Sequence, residues 1–314
     1  MGDTSFISIC IPAFQRVAYL ERLLDSIESQ TFRRFEVVIT DDSPGNDVWE
    51  LVEKHKLKPV IRYFKNPKPL GTPSNWNEGI RKAKSEWIKI MHDDDWFSGP
   101  ESLRVFAESV EKGNGLFYFS AYTNVLPEGR RITKQLRTTR LHRLKRFPGI
   151  LMAVNWIGPP SVALFKKNDT IFFDSRMKWM VDIDFYIRYL EKYPAMISYI
   201  PKPLISIGIS ASQVTQSSFG NPEIEIPERF MMAEKLQFSG TRNITVFDSW
   251  WRFIRNFSIR DTGQIERAGY SGKIPAFITK MIKYQKGIPR SLLQWGPASK
   301  ICMFFHYIQN GNAL

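Results

Sequence analysis

The sequence predicts an α/β fold, a mixed sheet flanked by helices and followed by a helical C-terminal extension. Three observations predict it. Over the first 120 residues short apolar runs alternate with segments of helical period, the rhythm of βα units. Three of those runs stop in polar or acidic residues: Pro12-Ala13-Phe14-Gln15, Asp41-Asp42 and Asp93-Asp94-Asp95. Past about Pro222 the chain turns helical and aromatic, so we divide it into residues 1–220 and 221–314.

Each element has its own local signal. FISICI (6–11) reads as a buried strand, apolar but for Ser8. Leu20, Leu23, Leu24 and Ile27 then recur at helical spacing. FEVVIT (35–40) is the second strand, followed by a weaker helix over 48–54 and the strand VIRYF at 60–64. Thr72-Pro73 reads as a helix start, with Thr72 as N-cap and Pro73 in the first turn; that helix runs to Lys84. The next strand meets the triple aspartate. Ser98-Gly99-Pro100-Glu101 has capping-box spacing and opens another helix, and LFYFS (116–120) is a further strand. Residues 129–147 lack a strand period and read as a loop with a helical stretch. Gly158-Pro159-Pro160 bends the chain into a strand over 161–165, residues 177–193 are helical, and YIPKPLISIGI (199–209) is the last extended segment.

Composition narrows the function classes. Cys10 and Cys302 are the only cysteines, too few for a zinc pattern or a disulfide framework, which suits a reducing compartment. The N-terminus has no basic n-region, and no apolar stretch reaches the ~18 residues that span a bilayer. A cytoplasmic protein is expected, with peripheral association at the cytoplasmic face of the membrane. The Asn-x-Ser/Thr sites at Asn168, Asn243 and Asn256 are then chance. Net charge is +13, with eight basic and no acidic residues between Gly129 and Phe147, and seven more basic residues without an acid from Arg267 to the end. Such patches suit a phosphate-rich partner or an anionic membrane surface.

Three adjacent carboxylates repel, so a fold keeps them where a cation or water compensates. At the C-terminal end of a strand in an α/β sheet they sit where ligands bind. No G-x-G-x-x-G follows the first strand and no G-x-x-x-x-G-K-[ST] occurs, which removes the main support for dinucleotide chemistry and P-loop phosphate binding. A cation on Asp95, helped by Asp93 or Asp94, would supply the missing positive charge. Hard carboxylate oxygens select Mg²⁺ or Mn²⁺.

The run ISICIPAFQR…LERLLDSIESQTFRRFEVVITDDS…NPKPLGTPSNWNEGIRKAKSEWIKIMHDDDWF resembles the N-terminal half of family-2 inverting glycosyltransferases, which have the GT-A, Rossmann-like fold. The resemblance covers residues from about 5 to 215 and is clearest up to 100. It implies that Pro12, Phe14, Asp42, Asn77, Asp93 and Asp94 bind the nucleotide and donor sugar and that Asp95 carries the metal. In MVDIDFYIRYL (180–190) Asp182 takes the position of the general base, with Asp184 as the near alternative; on a helix the two point about 200° apart. Trp156 and Ser161, around the Gly-Pro-Pro bend, fall on the acceptor side. His92 reads either as help at the metal or as packing under the strand end. Where many relatives carry Arg and His before the ending Gln213-Val214-Thr215, this chain has Gly208 and Ser210.

The resemblance implies inverting transfer of a sugar from a nucleotide diphosphate-sugar, a UDP-sugar by preference, to a hydroxyl of a glycan acceptor such as a polyprenyl-diphosphate-linked one. In the tail Ile274, Phe277, Ile278, Met281 and Ile282 share a helical face bordered by Lys273, Lys280 and Lys283. With Trp250-Trp251-Arg252-Phe253-Ile254-Arg255 they read as an interfacial, membrane-contacting element or as an ordinary helical cap. Three other functions compete. A nucleic-acid-binding protein fits the pI of 9.7 but leaves the aspartate strand ends unexplained, and nucleic acid is not an expected partner. Metal-dependent nucleotidyl transfer lacks a basic signature after the first strand. A catalytically silent glycosyltransferase-like binding protein is opposed by the retained acids and favoured by Gly208 and Ser210.

Overall fold

A computed structural model describes residues 5–209, 219–237 and 243–310. Ser210, Gln213, Val214 and Thr215 lie outside the described residues. The chain forms two compact units: one of residues 1–146, 156–176 and 184–213, the other of 147–155, 177–183 and 214–314.

The first unit holds a mixed sheet of nine strands among the described residues. Strands β1 (Ile7–Ala13), β2 (Phe35–Asp41), β3 (Ile61–Lys65) and β4 (Trp87–Ile90) run parallel in the order β3-β2-β1-β4. Helices α1 (Val17–Glu28), α2 (Asp47–Lys54) and α3 (Ser74–Lys82) make the crossovers. The path leads outward from β1 to β3 and returns to β1's other side at β4, so β1 is the topological switch point, where sheets of this type bind ligands. β5 (Asp95–Phe97), β6 (Phe117–Val125), β7 (Arg131–Lys134), β8 (Ala163–Lys166) and β9 (Ile197–Gly208) extend the sheet, with α4 (Ser102–Lys112) leading into β6.

Burial follows the expected period. Ile7, Ile9 and Ile11 of β1, Val37, Val38 and Ile39 of β2 and Leu23, Leu24 and Ile27 of α1 are fully buried, each worth about 1.5–3 kcal/mol of transfer free energy. At the N-terminal edge of the sheet Ser8 Oγ donates to Glu36 Oε1 at 2.6 Å, and Arg62 donates to Glu36 Oε2 at 3.0 Å. This satisfied polar pair pins the β1–β2 register at the edge opposite the strand-end aspartates.

Three local expectations fail. The third helix begins at Ser74 with Pro73 as N-cap and no side-chain cap, so Thr72 does not cap it. Ser98 and Glu101 form no capping box; instead the Gly99 amide donates to Ser102 Oγ at 3.2 Å. Residues 131–134 form β7, which pairs antiparallel with β6, before α5 (Thr138–Arg146). β7 is exposed on most of its positions, so no apolar alternation marks it in the sequence.

The second unit contains α7 (Pro222–Lys235), α8 (Ile244–Asn256), α9 (Gly263–Arg267), α10 (Ala276–Lys286), α11 (Arg290–Gln294) and α12 (Gly296–Asn310). Phe277, Ile278, Met281 and Ile282 of α10 and Trp250, Trp251, Phe253 and Ile254 of α8 are buried. They form an aromatic core, with Trp250 against Phe230 at 5.1 Å and against Phe277 at 6.1 Å between ring centroids. Of the two readings of that face, interfacial element or helical cap, its interior position favours the second. No helix among the described residues is long and apolar enough to cross a membrane.

Candidate active site

The strand ends at the switch point carry the acids. Asp41 and Asp42 follow β2, and the 93–95 turn follows β4. Asp41 accepts from the Ser43 amide at 2.8 Å, Tyr63 Oη at 2.6 Å and Lys65 Nζ at 2.9 Å. Burial pushes its pKa upward, but these donors outweigh burial and hold it below the ordinary carboxylate range. Asp42 is buried and takes Asn66 Nδ2 at 2.7 Å, the Leu70 amide at 2.9 Å and the Gly71 amide at 2.8 Å. It therefore shapes the 66–71 loop, and of about four acceptor positions on a carboxylate these bonds leave one.

The SNWN start of α3 ties that loop to its neighbours. Asn75 Nδ2 donates to the Thr40 carbonyl at 3.0 Å, and Asn75 Oδ1 accepts from Asn66 at 3.0 Å. Asn77 is buried, with its amide exchanging two bonds with the Phe173 backbone at 2.8 and 2.9 Å. Between them Trp76 lies 4.6 Å from the His92 ring and 5.2 Å from Phe173. At the end of β1 Pro12 is half-buried, Phe14 is 52% exposed, and Gln15 takes a positive φ of 64° while its amide donates to Ser43 Oγ at 2.7 Å.

The three aspartates have three different environments. Asp93 is forked by Arg16, and burial still lifts its pKa to about 6 against that pull. The Asp94 side chain lies 3.6 Å from Arg16, and its carbonyl accepts from Arg22 at 2.9 Å and from the Gly208 amide at 3.2 Å. Asp95 is 2% exposed, and its Oδ1 has no hydrogen-bond partner. Burial, and then the charge of Asp94, raise the Asp95 carboxyl well above the ordinary range, against a hydrogen bond from Ser161.

One ligand atom each of His92, Asp94 and Asp95 lie within 4.8 Å of one another, and His92 Nε2 is buried without a partner. Burial lowers the His92 pKa to about 4, which keeps the imidazole neutral and able to donate a lone pair. Two orphaned, converging polar atoms are costly unless a ligand completes them. A carboxylate pair with one imidazole is a donor set that fits Mn²⁺ or Mg²⁺.

Ser161, expected beside the acceptor, is brought to the aspartates: its Oγ accepts from the His92 amide at 3.1 Å while bonding Asp95. Lys89 holds that turn from within β4, donating to the Ser161 carbonyl and at 3.2 Å to the Ala163 carbonyl. Fully buried, its ammonium is pushed down to about 7 by desolvation. Trp156 is half-buried with the Arg140 guanidinium 5.7 Å from its ring centroid.

Asp182 stands at the start of α6 (Val181–Lys192), half-buried. Asn155 Nδ2 donates to its Oδ2 at 2.9 Å and the Ile183 amide to its Oδ1 at 2.8 Å, while burial lifts its pKa to about 6. Just before it, the amides of Lys178, Trp179 and Met180 converge on the buried Glu228 of α7 at 2.6, 2.8 and 2.8 Å. Asp184 is spent differently, in an ion pair with Arg188 at 2.6 Å. Arg16, Arg22, Lys89, Asn155 and Glu228 were not singled out from the sequence. Only Lys89, a charge inside an apolar strand run, carried a signal that would have found it.

The profile described as "Glycosyl transferase family 2" matches residues 8–190. An uncharacterized protein of Mycobacterium tuberculosis is 27% identical over 63% of this chain and 65% of its own length. The Escherichia coli UDP-Glc:alpha-D-GlcNAc-diphosphoundecaprenol beta-1,3-glucosyltransferase WfaP is 29% identical over 38% of this chain and 45% of its own. The match thus spans less than two-thirds of either relative. In structure the chain is similar to residues 1–349 of Staphylococcus aureus TarS in complex with UDP-GlcNAc, with a TM-score of 0.57 and 16% identity over 96% of this chain and 89% of that one.

Proposed function

The chain belongs to glycosyl transferase family 2, and from that premise we propose that it moves a sugar from a UDP-sugar to a hydroxyl of a glycan acceptor carried on a polyprenyl diphosphate, with inversion at the anomeric carbon. The observation that carries the reading is the convergence of Asp94, Asp95 and the orphaned His92 Nε2 after β4. Those three residues would hold a divalent cation, Mg²⁺ or Mn²⁺, which supplies positive charge to the departing diphosphate.

The chain's own residues do the rest. Asp42 offers its remaining acceptor position to the nucleotide base, while the loop it braces and the exposed Phe14 and half-buried Pro12 border the nucleotide. Asp93 and Asp94 orient the ribose and donor sugar, with Arg16 setting how much negative charge they keep. Asn77 secures α3 against the 173 loop and so keeps Trp76 beside His92. Asp182 takes the proton from the attacking acceptor hydroxyl; a carboxylate titrating at about 6 is ionised at neutral pH yet basic enough to accept it. Trp156 provides an aromatic face for an acceptor sugar, and Ser161 braces Asp95 on the acceptor side. A lipid-borne acceptor also calls for peripheral residence at an anionic bilayer.

Nucleotide release from a panel of nucleotide-sugars, with Mn²⁺, Mg²⁺ or EDTA, tests this. Cation-dependent release of UDP is expected, with product of inverted anomeric configuration by NMR. A full panel that neither shifts the melting temperature nor releases nucleotide would end the transferase reading.

A further inference from the structure

Helix α12 has two faces. Ser299, Met303 and His306 are buried; Trp251 Nε1 donates to Ser299 Oγ at 3.0 Å, and the His306 ring stacks 4.5 Å from Tyr284. On the other side Ile301, Phe304, Phe305 and Ile308 are 58, 47, 56 and 56% exposed. At ~100° per residue these four fall within an arc of about 100°, opposite the buried three. Before α12, Leu292 of α11 (Arg290–Gln294) is 44% and Trp295 62% exposed. Six of the fourteen large apolar side chains exposed among the described residues thus come from 292–308. Scattered exposed apolar residues need no explanation, but a contiguous stripe marks an interaction surface.

The charge around the stripe selects its partner. From Arg267 to the C-terminus there are seven basic residues and no acid. Lys286, Arg290 and Lys300 are exposed, and Lys300 directly precedes Ile301 at the border of the stripe. A second copy would bring the same sign of charge against itself. An anionic bilayer supplies what both features lack, an apolar layer for the stripe and phosphates for the basic residues. At ~1.5 Å per residue the fifteen residues of α12 extend about 22 Å, enough to lie along a membrane and too short to cross it.

We propose that α11 and α12 form a membrane-docking surface, with the stripe of Ile301, Phe304, Phe305 and Ile308 immersed in an anionic phospholipid bilayer and the exposed Arg290 and Lys300 holding lipid phosphate. The inference deepens the function proposed above, which places the acceptor at a bilayer, and its test does not depend on activity.

The full chain is sedimented with phosphatidylcholine vesicles, with and without phosphatidylglycerol. Binding is expected only with phosphatidylglycerol and falls with added salt. The double variant Phe304→Ser/Phe305→Ser loses about tenfold in affinity, Arg290→Glu/Lys300→Glu loses binding to the anionic vesicles, and Trp49→Ser, an exposed tryptophan of the sheet-bearing unit, binds as wild type. If the double variant melts early, Ile301→Asn/Ile308→Asn takes its place. Equal binding by a folded stripe variant overturns the proposal, as does a wild type indifferent to phosphatidylglycerol. A wild-type dimer in light scattering that the stripe variant converts to monomer also overturns it. Vesicle binding by a chain that releases no nucleotide would leave the docking surface standing and remove the transferase reading.

Discussion

Arg16 grips Asp93 at two points: its Nε donates to Oδ2 at 3.0 Å, and a second guanidinium nitrogen donates to Oδ1. The third nitrogen stands 3.6 Å from Asp94. One of three adjacent acids is thereby matched with a cation of the protein's own, leaving Asp94 and Asp95 with His92 as the converging donors. Arg16→Met removes the match. With Arg16 about one-third exposed, the expected loss is about 1–3 kcal/mol in EDTA, and Mn²⁺ should restore more melting temperature than it adds to wild type. A variant as stable as wild type in EDTA would show the fork to be idle.

Asp95 places a buried carboxylate with an orphaned oxygen in the fold. Asp95→Asn keeps the shape without the charge. Donor titrations by calorimetry should lose their dependence on Mn²⁺, while the melting temperature in EDTA stays no lower than wild type. Cation-dependent donor affinity that survives the change would remove Asp95 as a ligand.

Asp182 titrates at about 6 because burial disfavours its charge. A base must be ionised, so kcat should fall as pH drops through about 6, whereas this raised pKa makes ionised Asp182 a stability cost above that pH. Asp182→Asn should lower kcat by about 10²–10⁴-fold with donor affinity kept. Asp93 is also lifted to about 6, so the control is Asp93→Asn, whose residual activity should keep the acidic limb. Loss of the limb in that variant would move it to Asp93.

Glu228 accepts three successive amides just before α6. Glu228→Ala leaves three donors without their charged acceptor, at roughly 1.5–3 kcal/mol for such a bond. Since Asp182 stands two residues after the last of those amides, kcat should fall while donor KM holds, and Glu228→Gln should recover part of kcat. A parallel rise in donor KM would mean that Glu228 serves general stability.

Gly208 donates its amide to the Asp94 carbonyl, and a Cβ there would stand 2.5 Å from that oxygen. Gly208→Ala must push the 93–95 turn. We expect a loss of about 1–3 kcal/mol and weaker Mn²⁺ binding by electron paramagnetic resonance. The departure from Arg at this position thus has a steric reason: backbone of the aspartate turn and the Arg22 guanidinium already occupy the space.

Local signals carried the sheet. Apolar runs at 7–11 and 35–39 are legible because burial on both faces leaves only Ser8 and Glu36, which bond each other, as polar positions, and the helix of Leu20, Leu23, Leu24 and Ile27 is legible because its period is regular. β7 was not, since a solvated edge strand needs no apolar residues. Thr72 failed as a cap because its identity fits the role while the backbone enters α3 one residue later, with Pro73 as N-cap.

From sequence alone came the α/β class, the acids at strand ends and the family, because these rest on periodicity and on short strings of residues. Tertiary structure decided which charges meet. It paired Asp93 with Arg16, spent Asp184 on Arg188, turned Ser161 toward Asp95 and left His92 Nε2 open. It also set which amphipathic faces are interior, burying Phe277 to Ile282 of α10 and exposing Phe304 and Phe305 of α12. A period identifies a face, but only the neighbouring elements determine what that face meets.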